Sequence, residues 1–184
     1  MATQRSGTLV TYEDYCNLPD DERYEVIDGE LIMVAAPRRV HQASSRNIGT
    51  PLDTYVKANV LGEMYYAPTD VILSDINVVQ PDILFVSRER SHILADEGIR
   101  GAPDLVIEIL SPSTAQFDTV RKRELYARFG VAEYWQVDTD DLSVVVLTLA
   151  GDDYETAGVS GLGDTLVSPL LTGFRLDVDD IFAA

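Results

Sequence analysis

The stretch PDLVIEIL, residues 103–110, constrains the fold more than any other part of the chain. Its aliphatic residues occupy odd and even positions alike, as in a strand covered on both faces. Side chains alternate along a strand, so Asp104, Val106, Glu108 and Leu110 share one face, and Leu105, Ile107 and Ile109 the other. Glu108 is thereby placed deep in a sheet. A lone buried carboxylate is strongly unfavourable, so Glu108 is neutral, paired with a cation, or bound to a metal. A structural ion pair with an arginine is the plainest of these arrangements.

A second carboxylate changes the weighing. VVQPDILFV sets Asp82 at the start of another apolar strand, directly after Pro81. If the two strands are neighbours, Asp82 and Glu108 form a two-carboxylate pocket for a hard divalent ion. Mg²⁺ typically takes one or two carboxylates and keeps several waters. Asp104 lies four residues before Glu108, about 13 Å along a strand, too far to share one ion. It caps the strand entry or joins an outer shell.

The remaining pattern is that of a mixed α/β domain. Thr11 to Leu18 reads as a short helix, and RYEVIDGELIMVA as a hairpin turning at Asp28-Gly29. Residues 38–58 read as a helix that Pro51 should kink or break. GEMYYA, VILSD and VVQPDILFVS read as three strands, and residues 87–102 as a polar loop. Ser113 and Gln116 fit a capping box that opens a helix ending at Phe129-Gly130. EYWQVD and LSVVVLTL are further strands, and GFRLDVDDIF adds one more. With 184 residues and no internal repeat or linker, a single domain over 1–184 is expected. The one cysteine, Cys16, excludes an internal disulfide framework and a Cys-based zinc site, and its sequence neighbours suggest a small half-buried residue. No apolar run suits a membrane span and the N-terminus has no apolar signal core, so a cytoplasmic protein is expected.

The net charge of −17 disfavours nucleic acid, whose phosphates require Lys and Arg. The charge is uneven, however. Residues 131–184 hold eleven acids and one base, Arg175, whereas basic residues cluster at Arg38-Arg39, Arg88 and Arg90, and Arg121-Lys122-Arg123. A local basic face remains open.

Several segments together carry a resemblance: RYEVIDGEL, His41 early in the first long helix, QPDILFV, APDLVIEILSPST, then Asp118, Lys122 and Tyr126, and GVAEYWQVD. In this order they resemble the Uma-two-type restriction endonuclease family of the PD-(D/E)XK nuclease superfamily, from about Tyr12 to GFRLDVDDIF. The resemblance implies a restriction-endonuclease-like core, a mixed central β-sheet flanked by helices with an N-terminal β-hairpin. It implies metal-dependent hydrolysis of DNA phosphodiester bonds, with Mg²⁺ or Mn²⁺ on Asp82 and Glu108, and a homodimer matching the two-strand symmetry of the target. The superfamily lysine belongs two positions after the acid, where this chain has Leu110. In the family it is displaced to the following helix, which here offers Lys122. Asp118, Lys122 and Tyr126 recur every four residues, so they form one helical stripe that can reach the carboxylates if it packs over the sheet. Lys122 is one of only two lysines among fourteen basic residues, and an ammonium orients water as a compact point charge.

Catalytic roles are therefore expected for Asp82, Glu108 and Lys122. Glu25 completes the metal site or pairs with an arginine. His41 touches substrate or metal, or serves as a capping or packing residue. Ser111 contacts phosphate or closes a turn, and Arg121 and Arg123 contact DNA phosphates. The competing class is a catalytically inactive nuclease-fold protein acting as a nucleic-acid-binding or protein-interaction module, in keeping with Leu110 and the net charge.

Overall fold

Two covered faces of one strand organise the molecule. The computed structural model describes residues 8–19, 22–110 and 118–183. Strand β9 (Leu105–Leu110) is buried at all six positions. It lies between β10 (Glu133–Asp138), to which it runs parallel, and β6 (Ile83–Ser87), to which it runs antiparallel. The outer strands of this mixed sheet are β11 (Ser143–Ala150) and β12 (Asp153–Ser160) on one side and β3 (Gly62–Tyr66) on the other.

Leu105, Ile107 and Ile109 face helix α2 (Arg39–Ala58), whose Ile48, Leu52 and Val56 are fully buried against them. The same layer takes the C-terminal hairpin of β13 (Thr165–Val167) and β14 (Arg175–Asp177), and the short helix α4 (Val178–Phe182). Val106 on the opposite face packs against helix α3 (Arg123–Phe129) and a second sheet. That sheet has the order β2-β1-β5-β4-β8-β7, where β1 is Arg23–Ile27, β2 Glu30–Val34, β4 Val71–Ser74, β5 Asn77–Val79, β7 Leu94–Ala95 and β8 Gly98–Arg100. Val10, Tyr12 and Tyr15 cover its outer face over Val26, Ile72 and Val78. Tyr12 and Tyr15 belong to helix α1 (Tyr12–Cys16), which Thr11 and Asp14 close with a reciprocal capping box. Cys16, expected to be half-buried, is exposed.

The β1–β2 hairpin turns at Asp28 (φ 51°) and Gly29 (φ 73°), two left-handed residues as a type I′ turn demands. Three expectations are corrected, and one strand is added. VVQPDILFVS is two strands in two different sheets: Pro81 offers no N–H to a ladder, and Gln80-Pro81-Asp82 carries the chain from β5 to β6. Helix α2 runs unbroken through Pro51, held by the buried face on either side of it. The stretch 87–102 is a 3₁₀ helix, Arg88–Ile93, followed by β7 and β8, rather than a loop. Strand β12, unread in the sequence, pairs along β11 at the sheet edge, where it is mostly exposed and needs few apolar residues. The expected capping box at Ser113 and Gln116 lies outside the described residues. Among the described residues, no helix is long and apolar enough to cross a membrane.

Candidate active site

The two sheets each send one glutamate into the layer between them. Glu25 shares the inward face of β1 with Ile27, while Val26 points to the opposite face. Glu108 shares its face of β9 with Val106. Between the two carboxylates lies Lys122, at the end of a π-helical turn (Asp118–Lys122) that runs into α3. Its Nζ is 3.0 Å from Glu25 Oε1 and 3.0 Å from Glu108 Oε1. The three side chains are 4–7% exposed. The cation answering Glu108 is thus a lysine rather than an arginine.

Tyr126, one turn beyond Lys122 and fully buried, donates its hydroxyl to Glu108 Oε1 at 2.6 Å. Burial, reinforced by the charges of Glu108 and Glu25, pushes this hydroxyl well above the ordinary tyrosine range. It therefore stays protonated and acts as a fixed donor. The stripe of residues 122 and 126 does pack over the sheet, although the side chain of Asp118 is not among those described.

Asp82 immediately precedes β6, whose pairing with β9 begins at Ile83↔Ile107, one residue from Glu108. Asp82 Oδ2 accepts the backbone N–H of Ile109 at 2.8 Å, so a carboxylate oxygen continues the ladder where Pro81 interrupts the strand. The same oxygen lies 3.1 Å from Nε2 of His41, in the first turn of α2. His41 Nδ1 is buried with no partner among the described residues, as is Ser44 Oγ one turn along. Asp104 caps the strand entry: it accepts the N–H of Ser87 at 2.7 Å and pairs with Arg90 at 3.2 Å.

The other expected residues are placed differently. Arg121 pairs with Glu30 at 2.9 Å, and Arg123 bonds the carbonyl of Tyr154 at 2.7 Å and Asp153 at 3.1 Å. Both guanidiniums thus hold acidic partners of the chain itself. Ser111 lies outside the described residues.

Gln80 was not singled out in the sequence. Its N–H donates to Glu25 Oε1 at 2.8 Å. Its side chain accepts from Arg23 and donates to Asp70 and Tyr15. Only its place just before Pro81-Asp82 hinted at this clamp.

As a donor set, two carboxylates borne by neighbouring segments of one sheet would suit a hard divalent cation. Asp82 Oδ1 takes no hydrogen bond among the described residues. Those residues contain no group of three or more His, Cys, Asp or Glu side chains close enough to form a cage. A site that leaves most positions to water and substrate oxygens fits what is present, whereas a closed structural site does not.

The architecture is a restriction-endonuclease-like core with an N-terminal hairpin. It matches the crystal structure of "a putative nuclease belonging to DUF820 from Anabaena variabilis ATCC 29413" with a TM-score of 0.78. The match covers 94% of this chain and 97% of that one at 23% identity, a likeness of fold. Over residues 9–179 the sequence matches the family model "Uma2: Putative restriction endonuclease", and the chain belongs to that family. No curated protein sequence matches it.

Proposed function

We propose that this chain is a metal-dependent endonuclease that hydrolyses DNA phosphodiester bonds. The observation that carries this reading is the delivery of Lys122 by a helix onto Glu108, on a strand that pairs with the one Asp82 leads into. An ammonium from the helix thereby supplies what Leu110 cannot. Asp82 and Glu108 would hold Mg²⁺ or Mn²⁺, which when bound polarises the scissile phosphate and acidifies water. Lys122 orients the attacking water and offsets the negative charge that develops on the phosphate oxygens. Tyr126 fixes the rotamer of Glu108, and the Ile109 N–H fixes that of Asp82. His41 Nε2, 3.1 Å from Asp82 Oδ2, helps to aim that carboxylate. The chain acts as a single unit in a cytoplasmic homodimer, so that two sites address two strands. Arg121 and Arg123 reach DNA phosphates by exchanging their acidic partners for phosphate.

The test is nicking of plasmid DNA with Mg²⁺ or Mn²⁺. The wild type is expected to cut, and Asp82→Asn and Glu108→Gln to abolish both cutting and calorimetric Mn²⁺ binding. Unchanged Mn²⁺ affinity in both variants removes the metal site. Light scattering that shows a monomer at micromolar concentration removes the dimer and leaves the nuclease standing.

A second reading is favoured by one observation: Lys122 is only 6% exposed and already bridges two carboxylates. A nuclease-fold protein that kept this ion pair for structure alone would bind nucleic acid or protein without cutting. It predicts DNA binding without metal-dependent nicking.

A further inference from the structure

Glu25 belongs to a different sheet from Asp82 and Glu108, yet one of its oxygens joins the two halves of the site. Oε1 accepts from Lys122 Nζ at 3.0 Å and from the backbone N–H of Gln80 at 2.8 Å, two residues before Asp82. A carboxylate filling both tasks is poorly disposed to serve as a metal ligand. Its side chain is 4% exposed, so its partners lie inside the protein.

We propose that Glu25 is a positioning residue: it is the standing counter-ion of Lys122, and it holds the ammonium in place when Glu108 turns its charge to a divalent cation. This rests on the nuclease reading above. Lys122 is shared between two carboxylates, and only one of them, Glu108, belongs to the sheet that Asp82 leads into. Once Glu108 shares a cation with Asp82, its hold on Lys122 weakens by competition. Glu25 sits on the other sheet and is not drawn into that competition. A lysine tethered on that side keeps its position. Glu25 also ties this position to Asp82, because the same oxygen anchors the Gln80-Pro81-Asp82 crossover. The Gln80 side chain is gripped by Arg23, Asp70 and Tyr15, which leaves that crossover little freedom to drift.

The experiment compares Glu25→Gln and Glu25→Asp with the wild type in three measurements: single-turnover cleavage at saturating enzyme, DNA affinity by anisotropy, and Mn²⁺ affinity by calorimetry. Glu25→Gln keeps the acceptor for Gln80 and removes the charge. Its bound-state rate should fall about ten- to a hundredfold, the range for residues that orient an active group, with DNA and Mn²⁺ affinities within about twofold of wild type. Glu25→Asp, with the charge one methylene shorter, should recover part of the rate, and it serves as the informative variant if Glu25→Gln folds poorly. Combining Glu25→Gln with Lys122→Met should cut no more slowly than Lys122→Met alone. Wild-type cleavage by Glu25→Gln overturns the role. So does a loss of Mn²⁺ affinity as large as that of Glu108→Gln, which makes Glu25 a ligand. A wild type that neither binds Mn²⁺ nor cuts DNA instead sinks the nuclease reading, and this role falls with it.

Discussion

Replacing Lys122 by methionine keeps the length of the side chain and removes the charge between Glu25 and Glu108. Each contact is 3.0 Å, so at an effective dielectric of about 20 each carries about 5 kcal/mol of Coulomb attraction. Most of this offsets the desolvation of burying three charges. The variant also keeps a repulsion. Both oxygens lie 3.0 Å from one nitrogen, so they are no more than about 6 Å apart and repel by about 3 kcal/mol or more at the same dielectric. This agrees with the loss of about 3–5 kcal/mol seen when one partner of a buried ion pair is removed. At about 2–4 °C per kcal/mol for a chain of this size, the melting midpoint should fall by roughly 6–20 °C. The assay is thermal unfolding near neutral pH, followed by circular dichroism, without added metal. Lys122→Met combined with Glu25→Gln removes the repulsion and should recover much of the loss. A midpoint within about 2 °C of wild type for Lys122→Met, or a double variant no more stable than the single one, would refute the reasoning.

Three more outcomes follow from the geometry. Tyr126→Phe deletes the 2.6 Å donor to Glu108 without changing shape, and should cost about 1.5–3 kcal/mol in urea unfolding, as for a hydrogen bond to a charged group. Burial raises the carboxyl of Glu133 against three hydrogen bonds from Ser168, Leu170 and Trp135 that lower it. The folded state therefore holds this proton more tightly than the unfolded chain, so its contribution is present at low pH and is lost as pH rises through the raised value. Wild type minus Glu133→Gln stability should accordingly decline as pH rises from about 4.5, and a flat difference refutes the raised carboxyl. Finally, Gly49 faces the ring of Tyr66, where a Cβ would collide with its edge. Gly49→Ala should cost about 1–3 kcal/mol by overpacking, relieved by Tyr66→Leu if the ring is the obstacle.

The central strand, its buried glutamate and the turn of the first hairpin were legible in the sequence because each depends on local rules. Unbroken aliphatics mean two covered faces, Asp28-Gly29 suits a turn with two left-handed residues, and a four-residue spacing puts Lys122 and Tyr126 on one helical stripe. The sequence made Asp82 and Glu108 partners only on condition that their strands be neighbours, and β6, which follows Asp82, does pair with β9.

What the sequence could not decide is which cation meets Glu108 and what else that cation touches. Glu25 and Lys122 lie 97 positions apart, on different layers, and no periodicity connects them. Their contact exists because the chain changes sheets at Gln80-Pro81-Asp82 and stacks the N-terminal hairpin over β9. Arg121 and Arg123, basic like Lys122 and adjacent to it, are turned by the helix toward Glu30 and Asp153 instead. Local pattern fixes which face of its own element a side chain takes. Which charge waits on the facing layer depends on the tertiary fold, because the free energy of burying a charge is set by its neighbours in space.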